Sequence, residues 1–321
     1  MSPFAEQLTS SSFFSFLMDI LRAISSIRTP FLDLVMQGIT AIGQEMVFIV
    51  IAMFMVWCLD KKWGYRFLAI FMVGSLLNQI LKVAFLIPRP WVIDPKFEIV
   101  ESARAEATGF SFPSAHTQNV TMTFGAIAIW LKKKWVYIVA VIVSLLVAFS
   151  RMYLGVHTLL DTVVGLVAGL LVLIVMDILM EHVINDPKRF SIFIVFGNLA
   201  AICFLVYLYL APISNYLRPE DYKNAFVLFG TTFGFTLGWI IDQKWGHFDS
   251  TAVWWVQLIK LILGTAIVLT IRAILKAAFG GNSAAPFLHG IRYAVMTFVA
   301  IGVFPFLFKP LVKWSSKFSN Q

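Results

Sequence analysis

Residues 157–180 read HTLLDTVVGLVAGLLVLIVMDILM. From Leu159 to Met180 only Asp161, Thr162 and Asp177 interrupt the apolar run. About 20 such residues cross the hydrocarbon core of a bilayer. A surface helix of that length in a soluble protein would carry a polar face, and this one has none. The stretch predicts a membrane-spanning helix headed by a histidine and an aspartate four residues apart, on one helical face.

The same texture runs through the chain. Of its 321 residues, 60% are hydrophobic and 13% charged, and the mean hydropathy is +0.85. A soluble protein carries about one charged residue in four, so a water-facing surface is excluded. The predicted fold is all-α, a polytopic transmembrane helical bundle of about nine spans. They fall near 46–60, 65–87, 114–131, 135–153, 157–180, 190–211, 224–242, 253–276 and 289–308. Ahead of them, Ser12 to Gly43 is amphipathic, broken by Asp19, Arg22, Arg28 and Asp33, and predicts one or two helices lying at the interface. The expected organisation is 1–43 interfacial helices, 44–182 a core bundle and 183–321 additional transmembrane helices. The N-terminus lacks the features of a cleaved signal. Cys58 and Cys203 both fall in predicted spans, so no disulfide is expected.

The net charge of +8 does not point to nucleic acid, because the basic residues sit in short loops between apolar stretches. Lys61, Lys62 and Arg66 follow the first span, Lys132 to Lys134 the third, Lys188 and Arg189 the fifth, and Lys309, Lys313 and Lys317 the ninth. With nine crossings all four clusters share a side, which the positive-inside rule makes cytoplasmic. The 89–112 loop, the Arg151–His157 junction and the 276–288 loop then share the opposite face. Asp242 to Asp249 reads as a plain cytoplasmic turn.

Three segments on that opposite face carry chemistry. In the first, Lys82 and Arg89 are seven apart and project from one helical face, and Pro88 and Pro90 release Arg89 into the loop. The ordinary reading of Lys82 is a side chain snorkelling to the interface. In the second, Pro113-Ser114-Ala115-His116, Ser114 is a natural helix cap. A helix start with its unpaired amides suits an anion, although a capped helix with an interfacial histidine fits equally. In the third, Ser150-Arg151, five residues, His157, three residues, Asp161, the aspartate can fix the tautomer of the imidazole. Arg151 offers a planar fork to phosphate oxygens. The ordinary alternative is a structural His–Asp pair. Together the set is chemically complete: three cations and a helix terminus for a phosphate, one histidine to attack and one to protonate a leaving oxygen.

These segments resemble the signature of the type 2 phosphatidic acid phosphatase superfamily, which includes membrane lipid phosphatases, acid phosphatases and vanadium haloperoxidases. The signature is Lys, six residues, Arg-Pro; Pro-Ser-Gly-His; and Ser-Arg, five residues, His, three residues, Asp. Every spacing matches here. The resemblance implies that His157 attacks phosphorus with Asp161 orienting it. It implies that His116 protonates the leaving oxygen and then activates water. Lys82, Arg89, Ser114, the amide of Ala115 and Arg151 would hold the phosphate. Ala115 departs from the family's glycine; alanine keeps the amide and suits a helix start, so activity is expected to survive. The resemblance implies no metal or other cofactor. No carboxylate cluster suits magnesium, and His116 and His157 lack a third ligand for zinc.

The expected function is metal-independent hydrolysis of a lipid phosphomonoester or diphosphate at the outer face of a bacterial plasma membrane, through a phosphohistidine. The alternatives are transfer of the phosphoryl group to a lipid or sugar acceptor, and an inactive or transporting relative. Haloperoxidase chemistry is disfavoured by the spans. In the C-terminal half, Arg272, Lys276, His289 and Arg292 fall near the outward face, where they contact a headgroup or snorkel.

Overall fold

The computed structural model describes residues 2–217, 219–246, 248, 250–281 and 285–316. Lys317, Asp249 and residues 282–284 of the 276–288 loop lie outside the described residues. Among the described residues the ordered elements are helices and turns, with no strand.

In chain order the helices are α1 (Pro3–Thr9), α2 (Ser12–Ser25), α3 (Pro30–Ala41), α4 (Glu45–Phe54), α5 (Lys61–Phe85), the short α6 (Pro90–Ile93), α7 (Ala115–Leu131), α8 (Lys134–Tyr153), α9 (Leu159–Val183), α10 (Pro187–Leu210), α11 (Pro219–Ile241), α12 (Trp254–Ala278), α13 (Pro286–Phe298) and α14 (Phe308–Ser316). All nine predicted stretches fall on helix. Seven of the described helical segments are long and apolar enough to span a bilayer, or eight if α3 and α4 with its continuation to Leu59 form one span bent by 42°. The count falls short of nine because α4 is brief and α7 has 17 residues. The protein is an integral membrane protein.

The described residues fall into two compact units, one within Met1–Phe48, Val73–Ile178 and Ala211–Asp221 and the other within Ile49–Met72, Leu179–Leu210 and Tyr222–Gln321. In the first, the amphipathic reading of the N-terminus becomes packing. Phe14, Leu17, Met18 and Leu21 lie on one face of α2 at helical spacing and bury against Ile87, Phe97 and Phe112. Phe13 and Phe16, on the other side, stay exposed, which suits a helix with a lipid-facing side. Ser11 and Thr29 cap α2 and α3 through their side chains, giving the first amides partners.

The close seat of α9 on α7 depends on two small residues four apart. A Cβ on Gly165 would stand 2.7 Å from the Ser114 carbonyl oxygen, and one on Gly169 would stand 2.9 Å from that of Gln118. Small residues in this spacing let membrane helices approach backbone to backbone. Across α5 and α7, Gln118 donates to the Gly74 carbonyl at 2.6 Å and accepts from Asn78 at 2.9 Å. Buried hydrogen bonds of this kind hold two helices in register.

In the second unit, Asp242 departs from the expected plain turn. It is 1% exposed, with Lys61 Nζ 2.6 Å from Oδ2 and the Tyr65 hydroxyl donating at 3.0 Å. Tyr65, Phe190, Phe235 and Trp239 pack edge-to-face around it. Periodicity carries no sign of such a knot, because its members are 177 positions apart in the chain.

Candidate active site

The site residues all lie in the first unit, at helix ends. Lys82 closes the last turns of α5, after which Leu86 takes a positive φ of 53° and Pro90 opens α6. Arg89 is therefore released from the helix at the loop, as the two prolines require. Arg151 lies in the last turn of α8. Ser114 caps α7, its Oγ accepting from the Thr117 hydroxyl at 3.0 Å. Ala115 and His116 open that helix, where the first amides have no intrahelical acceptor.

Two of the three predicted segments meet at Asp161, and the first reaches His157 through Arg89. The Asp161 carbonyl accepts from the Ser114 amide at 3.0 Å, and its Oδ2 lies 3.5 Å from His157 Nδ1. Two further donors fix the carboxylate: the Ser111 hydroxyl and the Thr158 amide, each at 2.7 Å from Oδ2. His157 and Asp161 are buried, at 2% and 1% exposure, and a carboxylate in such a place needs partners of this kind. Arg89 Nη1 donates to His157 Nε2 at 2.8 Å. That contact requires a lone pair on Nε2, so the ring proton is assigned to Nδ1, on the Asp161 side.

The cations are held in the same way, by groups that have no charge to cancel them. Arg89 donates to the carbonyls of Val156 at 2.9 Å, Thr108 at 2.8 Å and Gly109 at 3.3 Å. Lys82 Nζ donates to the Phe110 carbonyl at 2.5 Å. Arg151 Nη1 donates to Thr40 Oγ1 at 3.0 Å, while its Nε has no hydrogen-bond partner among the described residues. His116 Nε2 lies 3.8 Å from Glu106 Oε2, beyond hydrogen-bond range. The arrangement is a buried imidazole with a fixed tautomer, flanked by guanidinium groups oriented through neutral carbonyls. Such preorganised positive charge suits an anion whose charge builds during reaction.

Of the predicted residues, His157, Asp161, Arg89 and Ser114 are joined by direct hydrogen bonds or close contact. Lys82 reaches the same loop as Arg89, one carbonyl further on. His116 and Arg151 lie at electrostatic range from each other and from Arg89. Arg272 and Lys276 stand on α12, and Arg292 Nη2 lies 2.9 Å from His289 Nδ1 on α13, all in the second unit. Sequence reasoning missed Ser111, Thr158, Thr40 and Glu106. Ser111 and Thr158 were within sight, being polar neighbours of the motifs; Thr40 and Glu106 carry no spacing signal.

Comparison with known proteins finds relatives of one family. Residues 63–183 match the PAP2 superfamily model, and residues 226–315 match the model described as PAP2 superfamily phosphatase, transmembrane extension. The chain is 35% identical over 167 residues to the phosphatidylglycerophosphatase B of Bacillus subtilis, covering 47% of this chain and 77% of that protein. It is 27% identical to an undecaprenyl-diphosphatase of Sulfolobus acidocaldarius, over 48% of this chain and 73% of the relative. A crystal structure of a transmembrane PAP2-type phosphatidylglycerolphosphate phosphatase from Bacillus subtilis is similar over 56% of this chain and 92% of that one, at 30% identity and a TM-score of 0.46. With both family models matched and the first relative covered over most of its length, the chain belongs to the PAP2 superfamily, as a membrane-embedded phosphatase with a transmembrane extension.

Proposed function

We propose that this phosphatase hydrolyses a lipid phosphate, monoester or diphosphate, through a phosphohistidine formed on His157 at the outer face of the membrane. The observation that carries the reading is the contact of Arg89 with His157 Nε2 at 2.8 Å. It joins a nitrogen with a free electron pair to a cation in one place. A phosphate oxygen taking up the guanidinium would bring phosphorus to that nitrogen.

In the first step the Nε2 lone pair of His157 attacks phosphorus and the bond to the lipid oxygen breaks. The departing oxygen takes a proton from His116. In the second step His116 removes a proton from water as its oxygen attacks the phosphohistidine, the N–P bond returns its electrons to Nε2, and phosphate leaves. Asp161 supports the charge that forms on His157, and Ser111 and Thr158 hold Asp161 in line. Lys82, Arg89, Arg151 and the helix start at Ser114 and Ala115 surround the phosphate oxygens. None of these steps calls for a metal, and chelators are expected to leave turnover intact.

The lipid substrate and the outward orientation are supported by where the charges stand along α8. Lys132 to Lys134 mark one end and Arg151 the other, about 26 Å away at 1.5 Å per residue, close to a hydrocarbon thickness. If the lysine end is cytoplasmic, the site opens at the far interface, where a phosphate can meet it while its acyl or prenyl tail stays in the bilayer. The candidate substrates form a panel of phosphatidic acid, phosphatidylglycerol phosphate, undecaprenyl diphosphate and sphingoid phosphates.

The test is phosphate release from that panel in detergent micelles, with the His157→Ala protein as blank and vanadate as competitor. Label from a phosphate-labelled lipid should appear on the wild-type chain with the acid lability of a phosphohistidine. Turnover by the His157→Ala protein at a tenth of wild type or more would defeat the mechanism. Label moving to an added alcohol instead of water would convert the reading to a phosphotransferase.

A further inference from the structure

His116 is placed where its charged form has few allies. Arg151 reaches it from α8, Arg89 from the loop after α5 and His157 from ahead of α9, with Lys82 and Asp161 beside His157. A cation in that company is disfavoured, yet a general acid must hold its proton when the leaving oxygen departs. The carboxylate that faces the ring is Glu106, which ends the turn Glu101–Glu106 and stands 3.8 Å from Nε2.

Glu106 is a surface acid, its side chain 46% exposed, but it is tethered. Its Oε1 accepts from Gln44 Nε2 at 2.5 Å, so the α3–α4 junction grips it from the side away from the histidine. The neighbouring Gly43 presses on the same histidine, since a Cβ there would stand 2.9 Å from the His116 carbonyl oxygen. The facing His116 and then the Gln44 amide hold the Glu106 carboxyl down at about 2. It is thus ionised at neutral pH. The N-terminal helices, expected from sequence only to lie at the interface, in this way reach the reaction centre.

We propose that Glu106, held by Gln44, is the positioning residue that raises the proton affinity of His116 for the first chemical step. This rests on the reaction proposed above. The imidazolium keeps its Nε2 proton facing Glu106 and gives the Nδ1 proton to the leaving oxygen as the P–O bond breaks. The neutral ring then recovers that proton from the attacking water. Glu106 stays ionised throughout, so no proton is gained or lost over the cycle.

The experiment compares the wild-type full chain with Glu106→Gln, which retains a partner for Gln44 while removing the charge. Two substrates are used: a lipid phosphate, whose alkoxide leaving group needs a proton, and p-nitrophenyl phosphate, whose leaving group does not. On the lipid, kcat should fall roughly 100-fold at neutral pH, within the range of general acid catalysis, and the alkaline limb should move to lower pH. KM and vanadate inhibition should stay within about 3-fold, and Glu106→Asp should recover part of the loss. On the aryl phosphate the loss should shrink to about 3-fold or less, since no general-acid contribution is at stake there. Equal losses on both substrates with an unshifted pH profile, or full activity in Glu106→Gln, would overturn the proposal. Wild-type protein that releases phosphate from neither substrate would overturn the proposed reaction instead, and this assignment with it.

Discussion

Arg89 Nη1 and His157 Nε2 stand 2.8 Å apart, while Nδ1 of the same ring lies 3.5 Å from Asp161 Oδ2. One face of the imidazole is thus engaged by a cation and the other by an anion. Arg89 also donates to three backbone carbonyls, a fixed fork that a lysine ammonium cannot reproduce. Arg89→Lys keeps the charge and loses that geometry, so kcat/KM for phosphate release should fall on the order of 100-fold. Retention of more than half of wild-type activity would show that charge alone is what the site needs.

In the proposed reaction Asp161 acts on His157 through tautomer and charge. Asp161→Asn preserves shape but offers an amide in place of the acceptor, and a wrong-tautomer histidine costs roughly 10,000-fold in kcat in a comparable His–Asp arrangement. Ser111→Ala leaves the carboxylate with the Thr158 amide as a remaining donor and should cost only about 10- to 100-fold, because a hydrogen bond to a charged group is worth about 1.5–3 kcal/mol. The order of the two effects is the test. Steady-state kinetics in which Ser111→Ala is the more damaged protein would contradict the assigned role of Asp161.

How much of this was legible follows from which contacts are local. His157 and Asp161 are four apart and Lys82 and Arg89 seven, so helical geometry alone pairs them before any tertiary contact exists. Ser114 was legible as a cap because capping is a property of a helix start. Thr40 and Glu106 were not. Thr40 lies 111 residues from the Arg151 it holds, and no periodicity encodes a loop folding back over a site. The buried Asp242 was misread for the same reason, since an acidic residue in a polar turn looks solvated until its distant lysine and tyrosine are placed. Helix existence was readable throughout; whether a 17-residue helix counts as a span was not.

Thr40 bears on the site through Arg151. Its hydroxyl takes the Nη1 hydrogen bond at 3.0 Å, and both residues are buried. Thr40→Val keeps volume and removes the acceptor, leaving a buried guanidinium with one fewer partner. Vanadate inhibition and kcat/KM should both weaken about 10-fold, the consequence of a displaced phosphate ligand. Unchanged vanadate affinity would mean that Arg151 is held by other groups or does not meet the phosphate.

The orientation can be checked without activity. Lys96 and Lys133 are both exposed, the first in the loop between α6 and α7 and the second between α7 and α8. In a Cys203→Ser background, Lys96→Cys should react with a membrane-impermeant thiol reagent in intact cells. Lys133→Cys should react only after lysis, as the positive-inside rule requires. The reverse pattern would put the phosphate site in the cytoplasm.

Asp242 gives a stability prediction. Lys61 Nζ straddles its carboxylate at 2.8 Å from Oδ1 and 2.6 Å from Oδ2, and lies 4.1 Å from the centre of the Phe248 ring. Removing one member of a buried pair strands the other charge, at a cost of about 3–5 kcal/mol. Replacing both with apolar residues removes the desolvation burden together with the attraction, and is often neutral. Asp242→Leu should therefore lower the unfolding midpoint in detergent by several degrees, and Lys61→Met should do so by less, because its side chain keeps 20% exposure and Asp242 retains the Tyr65 hydroxyl. The double variant should recover most of the loss of Asp242→Leu. Additive losses in that cycle would show that the two charges are not coupled, and that Asp242 is retained for its bond to Tyr65 alone.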